Sequence, residues 1–306
     1  MKRLSALLLA ALLALPLTAC GAKTEGKELV IGALPSIDVM PFVIAEQQGY
    51  FKAHGVNVRL ELFQSSKDRD AAFQAGKLDG MCCDLMSLCI YQNAGIDLRA
   101  TGMTEGEYWV VAGKGSGIQS MADLKGKSVA ISEKTLIEYV LDRTLEANDL
   151  TAGDVTKTAV PAVPTRLELL NAAQVDAAVL PQPYGTFAVN DGATLLSSAT
   201  GIGLYPSIIG MTKETVDARG DDIAAFYAAY AEGIEYLNSH PISEYEQLVI
   251  DTVGYPAEMK GKIELPEYHQ SRLPTEAELQ DAIDWAVAKG LCPDTLTPDA
   301  LVAAAG

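Results

Sequence analysis

The chain has 306 residues, five cysteines, a formal net charge of −17 and 49 % hydrophobic residues. That length is too great for one small core and suits a body of two lobes. The acidity leaves no electrostatic footprint for a nucleic acid, and it argues against contact with anionic lipid beyond a covalent anchor.

Lys2 and Arg3 open the chain, Leu4 to Leu15 is almost wholly apolar, and Leu17-Thr18-Ala19-Cys20 follows. This is the layout of a secretory signal peptide with a small-residue cleavage site. The apolar run falls short of the roughly 20 residues a membrane-spanning helix needs, and it lacks the polar face of a core helix. The cysteine behind small residues resembles a bacterial lipobox, which implies cleavage of residues 1–19 and lipid on Cys20. At about 0.8 kcal/mol per buried methylene, two or more acyl chains hold a protein on a membrane. Cleavage leaves 287 residues and removes two cations, for a net charge of −19. Residues 20–27 then form a lipidated, flexible tether, and the body sits on the extracytoplasmic face of the cell membrane.

In chain order the pattern alternates. Glu28–Leu34 reads as a strand, Pro41–Tyr50 as a helix that Ser36 or Asp38 is able to cap, and Val56–Phe63 as a strand. Lys67–Ala75 is a helix capped by Ser65 or Ser66. Leu78–Cys83 is a strand, Leu85–Ala94 a helix ended by Gly95, and Leu98–Met103 and Tyr108–Ala112 two further strands. This order predicts an α/β fold with a mostly parallel sheet covered by helices on both faces. A second cycle begins with strand Ser128–Ser132, helix Thr135–Ala147, strand Val155–Val160 and helix Arg166–Ala173. Strand Val175–Leu180, helix Tyr184–Asn190 and strand Ala193–Ser197 complete it. The cycles align at an offset of 97 residues, with Arg69 on Arg166, Asp79 on Asp176 and Val58 on Val155. That register predicts two similar lobes. Ile208–Met211 is a strand, and Asp221–Asn238, Ser243–Val253 and Thr275–Lys289 are helices. The aromatic face of the first of these helices reads as core. Crossovers near Ala112–Gly117 and Ser197–Leu204 form a two-segment hinge. They divide the body into lobe I (28–112 and 202–306) and lobe II (113–201).

In open α/β sheets ligands sit beyond the carboxyl ends of the strands, against helix N-termini whose amides suit anions and polar atoms. This rule selects Ser36, Asp38, Ser66 and Asp84 in the first lobe, and Thr135, Arg166, Gln182 and Tyr184 in the second. Ser36, Asp38, Ser66, Asp84 and Thr135 serve equally well as helix caps. Gln182, in a rigid Pro-Gln-Pro exit, offers both a donor and an acceptor. Tyr184 and Tyr108 are able to stack a planar solute, whereas Trp109 reads as core. Arg69 and Arg166 each put a cation in a helix's first turn, against the macrodipole by about 0.3–1 kcal/mol. Asp68, Asp70 or Glu168 is the plain compensation, and an anionic solute across the cleft is the sharper one.

Catalytic and metal signatures are missing from the sequence. There is no Gly-x-Ser-x-Gly elbow, Met121 stands where a phosphate loop ending in Gly126-Lys127-Ser128 needs glycine, and the three histidines are scattered. Cys82, Cys83, Cys89 and Cys292 lack zinc spacing and read as small buried apolar residues. They leave open a reducing habitat or one bridge that spacing does not assign. No catalytic residue, metal or cofactor is expected.

Several stretches together carry a resemblance. They are Ala45-Glu46 with Gly49-Tyr50-Phe51, Asp70–Asp79, Ala122–Ala130, and Asn171–Leu180 with Pro181-Gln182-Pro183. Pro274-Thr275-Glu276 with Trp285 and Lys289-Gly290-Leu291 complete the set. The chain resembles the type II periplasmic binding proteins, and within them the nitrate, sulfonate, taurine and thiamine-precursor group called NMT1/THI5-like or SsuA-like. The resemblance implies a monomer whose lobes close on one small polar, anionic or heteroaromatic solute and deliver it, unchanged, to an ABC permease with its ATPase. In the family an acidic residue is common where Gln182 stands, so the glutamine alters charge preference. One branch makes the thiamine pyrimidine as an enzyme, and the lipobox argues against that branch. The same body also serves as a surface sensor, which a neighbouring permease and ATPase gene pair would argue against.

Overall fold

A computed structural model describes residues 27–303 of the chain. The signal segment, Cys20 and all but the last residue of the expected tether lie outside the described residues. Among those described, no helix is long and apolar enough to cross a membrane.

The first half runs β1 (Leu29–Ala33), α1 (Met40–Gln47), α2 (Tyr50–Ala53), β2 (Val58–Leu62), α3 (Ser66–Gln74), β3 (Gly80–Asp84), α4 (Leu85–Asn93) and β4 (Leu98–Met103). Then follow β5 (Tyr108–Ala112), β6 (Ser128–Ile131), α5 (Leu136–Glu146), β7 (Thr156–Ala159), α6 (Val163–Asn171), β8 (Ala177–Pro181), α7 (Tyr184–Asn190) and β9 (Thr194–Ser198). The chain ends with β10 (Ser207–Thr212), α8 (Lys213–Ala218), α9 (Gly220–Ser239), α10 (Glu246–Val253) and α11 (Glu276–Ala288).

These strands form two five-stranded sheets with orders β2-β1-β3-β10-β4 and β7-β6-β8-β5-β9. In each, four strands run one way and one runs against them: β10 in the first sheet and β5 in the second. The expected mostly parallel, two-lobed α/β body is present, and its sheets are mixed. Each opposing strand is supplied by a crossover from the other sheet. The first crossover therefore lies at residues 104–107, ahead of the expected Ala112–Gly117, and the lobe boundary moves with it. Tyr108–Ala112 is a buried strand whose pattern says nothing of which sheet takes it, and its pairing with β8 decides the matter.

The internal repeat is real at the level of single contacts. α3 and α6, and β3 and β8, are each 97 residues apart. Arg69 Nη1 donates to the Cys82 carbonyl at 2.6 Å, and Arg166 Nη1 to the Val179 carbonyl at 2.9 Å. Asp79 accepts from the Val30 amide at 2.9 Å, and Asp176 from the Ser128 amide at 2.8 Å. Each aspartate thereby ties the entry of its own strand to the start of the neighbouring one.

The helix α9 buries Phe226, Tyr230, Ile234 and Leu237 along one stripe and lies against α1. Gly233 faces Pro41 so closely that a Cβ there would stand 2.2 Å from the Pro41 carbonyl oxygen. The last helix, α11, opens on a capping box between Thr275 and Glu278. Its apolar residues share one core cluster with α4 of the first lobe and α5 of the second.

A polar seam fastens α11 to α5. Tyr139 OH and Arg143 Nε both donate to Asp281, at 2.6 and 2.8 Å, and Trp285 Nε1 donates to Asp142 at 3.0 Å. Lys289 and Lys157 reach Glu138 at 2.6 and 2.8 Å. Burial pushes the Glu138 carboxyl up, but the Lys134 amide and these two ammonium groups outweigh it and hold the pKa at about 2. A depressed folded pKa stabilises the protein above the ordinary value of 4.5, and that contribution is lost as pH falls toward 2. E138Q will therefore be less stable than the parent at pH 7. The gap in denaturation midpoint will narrow between pH 4.5 and 2; a gap that stays constant across that window would contradict the assignment.

Candidate functional site

Two register pairs bring the carboxyl ends of the sheets together. Ser207, which opens β10, pairs with Asp84 at the end of β3, and Tyr108, which opens β5, pairs with Pro181 at the end of β8. Tyr108 OH and Ser207 Oγ share a hydrogen bond of 2.9 Å. The two crossovers also make matching bonds: Leu85 N donates to the Pro206 carbonyl and Gln182 N to the Glu107 carbonyl, each at 3.0 Å. The strand ends and helix N-termini of both sheets thus converge where the crossovers meet, which is the position the sheet rule selects for a ligand. Gly106 makes this approach possible, because a Cβ there would fall 1.9 Å from Ser207 Oγ.

On the first-lobe side the centre is Asp38. Ser36 Oγ donates to its Oδ1, and Thr104 Oγ1 to its Oδ2 at 3.4 Å. Tyr268 OH binds the Ile37 carbonyl at 2.8 Å and fixes the turn from outside. Burial raises the pKa of Asp38 against the opposing pull of those hydrogen bonds and of Arg69. Asp84 accepts from the Ser87 amide at 2.8 Å and caps α4, and burial raises its carboxyl as well. The Tyr108 phenol is pushed up by burial first, and by Asp38, Asp84 and Glu107 nearby. This side is a small group of buried oxygens rich in acceptors.

The second-lobe side offers donors. Thr135 caps α5, accepting from the Ile137 amide at 3.2 Å and donating to the Ser132 carbonyl at 2.8 Å. Gln182 is 6 % exposed; its Oε1 accepts from Thr186 N and Oγ1 at 3.2 and 2.8 Å. Its Nε2 is buried without a hydrogen-bond partner. Trp109 approaches Gln182 over Gly185, where a Cβ would meet the indole at 3.0 Å and Gln182 Nε2 at 3.2 Å. Tyr184 and Trp109 pack against the second-lobe core, and Tyr184 stacks edge-on with Phe187 at 5.7 Å. Phe187 in turn meets Tyr255 of the first lobe at 5.7 Å.

The two arginines differ in one respect. Arg69 pairs with Asp70 at 2.7 Å. The residue that follows Arg166 is Leu167, and Glu168 is exposed and makes no bond to it. Arg166 is 1 % exposed, its Nε has no partner, and burial alone pulls its pKa down to about 10, so it remains a cation at neutral pH. A buried cation with one carbonyl and no carboxylate is an incomplete arrangement.

Of the residues the sequence selected, Ser36, Asp38, Asp84, Thr135, Gln182 and Tyr184 follow or end strands at the converging ends, and Arg166 lies in the first turn of α6, bonded to the Val179 carbonyl of β8. Ser66 opens α3, after β2 at the edge of the first sheet. It is exposed on α3, lining a shallow depression with Lys67, Asp70, Ala71 and Gln74, and Ser65 is the cap, accepting from Asp68 N at 3.2 Å. Ser36 and Asp38 bond each other and do not cap α1. Thr104 and Glu107 on the first crossover and Ser207 at the start of β10 were missed, because the loop rule inspects only strand-to-helix turns. Among the described residues no cluster of three or more His, Cys, Asp or Glu is arranged to hold a metal.

Comparison with known proteins agrees with this geometry. The chain is 25 % identical over 231 residues to a putative aliphatic sulfonates-binding protein of Bacillus subtilis, an alignment covering 72 % of this chain and 69 % of the other. Its fold matches the crystal structure of the periplasmic aliphatic sulphonate binding protein SsuA from Escherichia coli with a TM-score of 0.75. That match has 20 % identity and covers 90 % of this chain and 97 % of the other. The alkanesulfonate-binding protein SsuA from Xanthomonas axonopodis pv. citri, bound to MOPS, matches with a TM-score of 0.72 at 21 % identity, covering 90 % and 98 %. The sequence model described as NMT1/THI5 like matches residues 36–244. With two paired mixed sheets and a family match over most of its length, the chain belongs to the NMT1/THI5-like family.

Proposed function

We propose that this chain is the extracytoplasmic solute-binding component of an ABC importer, and that its solute is a small organic anion of the sulfonate type. The observation that carries the choice is Arg166, a buried cation lacking the counter-ion that its repeat partner Arg69 has in Asp70. The orphan Nε2 of Gln182 supplies a second donor on the same side. The sulfonate-binding relatives support the same class. Asp38, Ser36 and Ser207 of the first lobe suit a hydrogen-bond-donating group, so an aminoalkanesulfonate satisfies both lobes.

The solute binds one lobe and draws the other onto it. It shifts the population toward the closed form only through contacts made there and not in the open form, and the second set of cleft residues provides them. A permease with its ATPase reads the closed shape. The protein acts as a monomer on a lipid anchor at Cys20, and it leaves the solute chemically unchanged.

A thermal-shift and calorimetric screen tests this reading, using taurine, simple alkanesulfonates, MOPS, nitrate and an aminopyrimidine. A true solute at one hundred times its dissociation constant stabilises by about 2.7 kcal/mol, which raises Tm by roughly 5 °C in a chain of this size. Sulfonates shifting Tm, with nitrate weaker and the pyrimidine inert, is the expected order. A response to the pyrimidine or to cations alone would overturn the choice of solute.

A further inference from the structure

A cavity of about 380 Å³ lies where the two crossovers leave the first lobe. Met103, Thr104 and Glu105, at the end of β4 and the start of the first crossover, form its buried part. Tyr205 of the second crossover completes the lining with His269 and Arg272, which precede α11. Hydrogen bonds hold these walls together. Met103 N donates to the Arg272 carbonyl at 2.8 Å, Ser271 Oγ to the Met103 carbonyl at 2.9 Å, and Thr104 N to the Ser207 carbonyl at 3.0 Å.

Glu105 is 9 % exposed. Its Oε1 accepts from the His269 amide at 3.1 Å and from His269 Nδ1 at 2.8 Å. Among the described residues, none donates to its Oε2. The guanidinium of Arg272 is taken by both oxygens of Glu278, at 2.8 and 2.7 Å. The cavity thus holds a carboxylate oxygen largely withdrawn from water and short of a donor, a setting that favours a bound cation. Tyr205 and His269 meet edge to face with ring centroids 6.0 Å apart, and an aromatic face attracts a cation and packs a ring. Ligand pockets begin at about 300 Å³, so this one takes a ring as well as an amino group.

We propose that this cavity is the subsite for the amine end of the solute, and that the amine carries a ring. The ammonium donates to Glu105 Oε2, and the ring lies against Tyr205. Thr104 joins the cavity to the cleft, since it lines the one and its Oγ1 donates to Asp38 Oδ2 of the other at 3.4 Å. The connection to the cleft rests on the sulfonate reading above; the fit of the cavity to a ring-bearing ammonium does not.

Benzylamine at pH 8 is the probe, with benzyl alcohol as its neutral match. Saturation-transfer NMR reads binding to the parent, E105Q and Y205L. Glutamine keeps the oxygen that accepts from His269, and thermal denaturation checks that both variants fold. Benzylamine is expected to bind the parent at least about 10-fold more tightly than benzyl alcohol does. E105Q should weaken benzylamine by about 10-fold or more, and Y205L by about 3-fold or more. N-benzyltaurine should displace it at a concentration at least about 10-fold below that of N-benzylethylamine, which lacks the sulfonate. Equal binding of benzylamine and benzyl alcohol, or benzylamine binding unchanged in E105Q, would overturn the site. If simple sulfonates bind but N-benzyltaurine gains nothing over N-benzylethylamine, the cavity is no part of the cleft and the proposal falls. If no sulfonate binds while benzylamine still depends on Glu105, the cavity stands as an ammonium site and the sulfonate reading falls alone.

Discussion

Replacing Arg166 by methionine will abolish tight solute binding while leaving the empty protein about as stable as before. The two effects have a common origin. A buried cation without a partner is costly, and a hydrophobic side chain of similar volume in its place is commonly neutral or stabilising by about 1–4 kcal/mol. Against this stands the loss of one hydrogen bond to the Val179 carbonyl, about 1 kcal/mol. Binding has no such compensation. A charge-assisted hydrogen bond to a desolvated anion is worth about 2–5 kcal/mol on truncation, a loss of at least about 30-fold in affinity. The R69M variant provides the contrast: it breaks an ion pair with Asp70 and a bond to the Cys82 carbonyl, so its stability falls. Calorimetry with the best sulfonate, beside thermal denaturation of both variants, separates the roles. Affinity unchanged in R166M would remove the anion-binding role of Arg166.

Gly233→Ala will destabilise the first lobe and weaken binding from a distance. An interior alanine gains about 1 kcal/mol of helix propensity over glycine. The new methyl would lie 2.2 Å from the Pro41 carbonyl oxygen and 3.1 Å from its carbon, both backbone atoms that no rotamer change relieves. Overpacking of this kind costs about 1–3 kcal/mol and sometimes more; with a backbone target the upper end applies, so a net fall in Tm of roughly 5 °C is expected. Separating α1 from α9 also moves the turn that carries Asp38, whose carbonyl accepts from Tyr230 on α9 at 3.4 Å. Denaturation and titration of G233A measure both effects, and an unchanged Tm would show that the helix pair is looser than its spacing implies.

The repeat was the most legible feature of the sequence. The 97-residue offset placed α6 on α3 and β8 on β3, because helix and strand periods and the spaced arginines are local signals. Nearness in sequence put Asp68, Asp70 and Glu168 forward as partners for the arginines. It did not show that Arg166 lacks a counterpart, since Glu168 is near in sequence but points to solvent. The sheet that takes β5 was illegible for a different reason. A run such as Tyr-Trp-Val-Val-Ala announces a buried strand, whereas its partner is chosen by pairing with β8, some 70 residues on. Thr104 and Ser207 went unseen with it, because the first crossover and the start of β10 become part of the cleft only after that pairing is known.

The interleaving of the two sheets sets an order of assembly. Every strand of the second sheet comes from one continuous stretch, residues 108–198, so that half is complete once its own stretch is available. The first sheet needs β10 between β3 and β4, and Ala100 on β4 also pairs with Val302, a few residues from the end of the chain. Its closure waits on contacts of very long sequence separation, which form slowly. The strands β1, β2 and β3 can pair with one another early, but the first sheet stays incomplete until β10 is present. Under the extracytoplasmic role proposed above, this order keeps the first sheet open during export until β10 has followed.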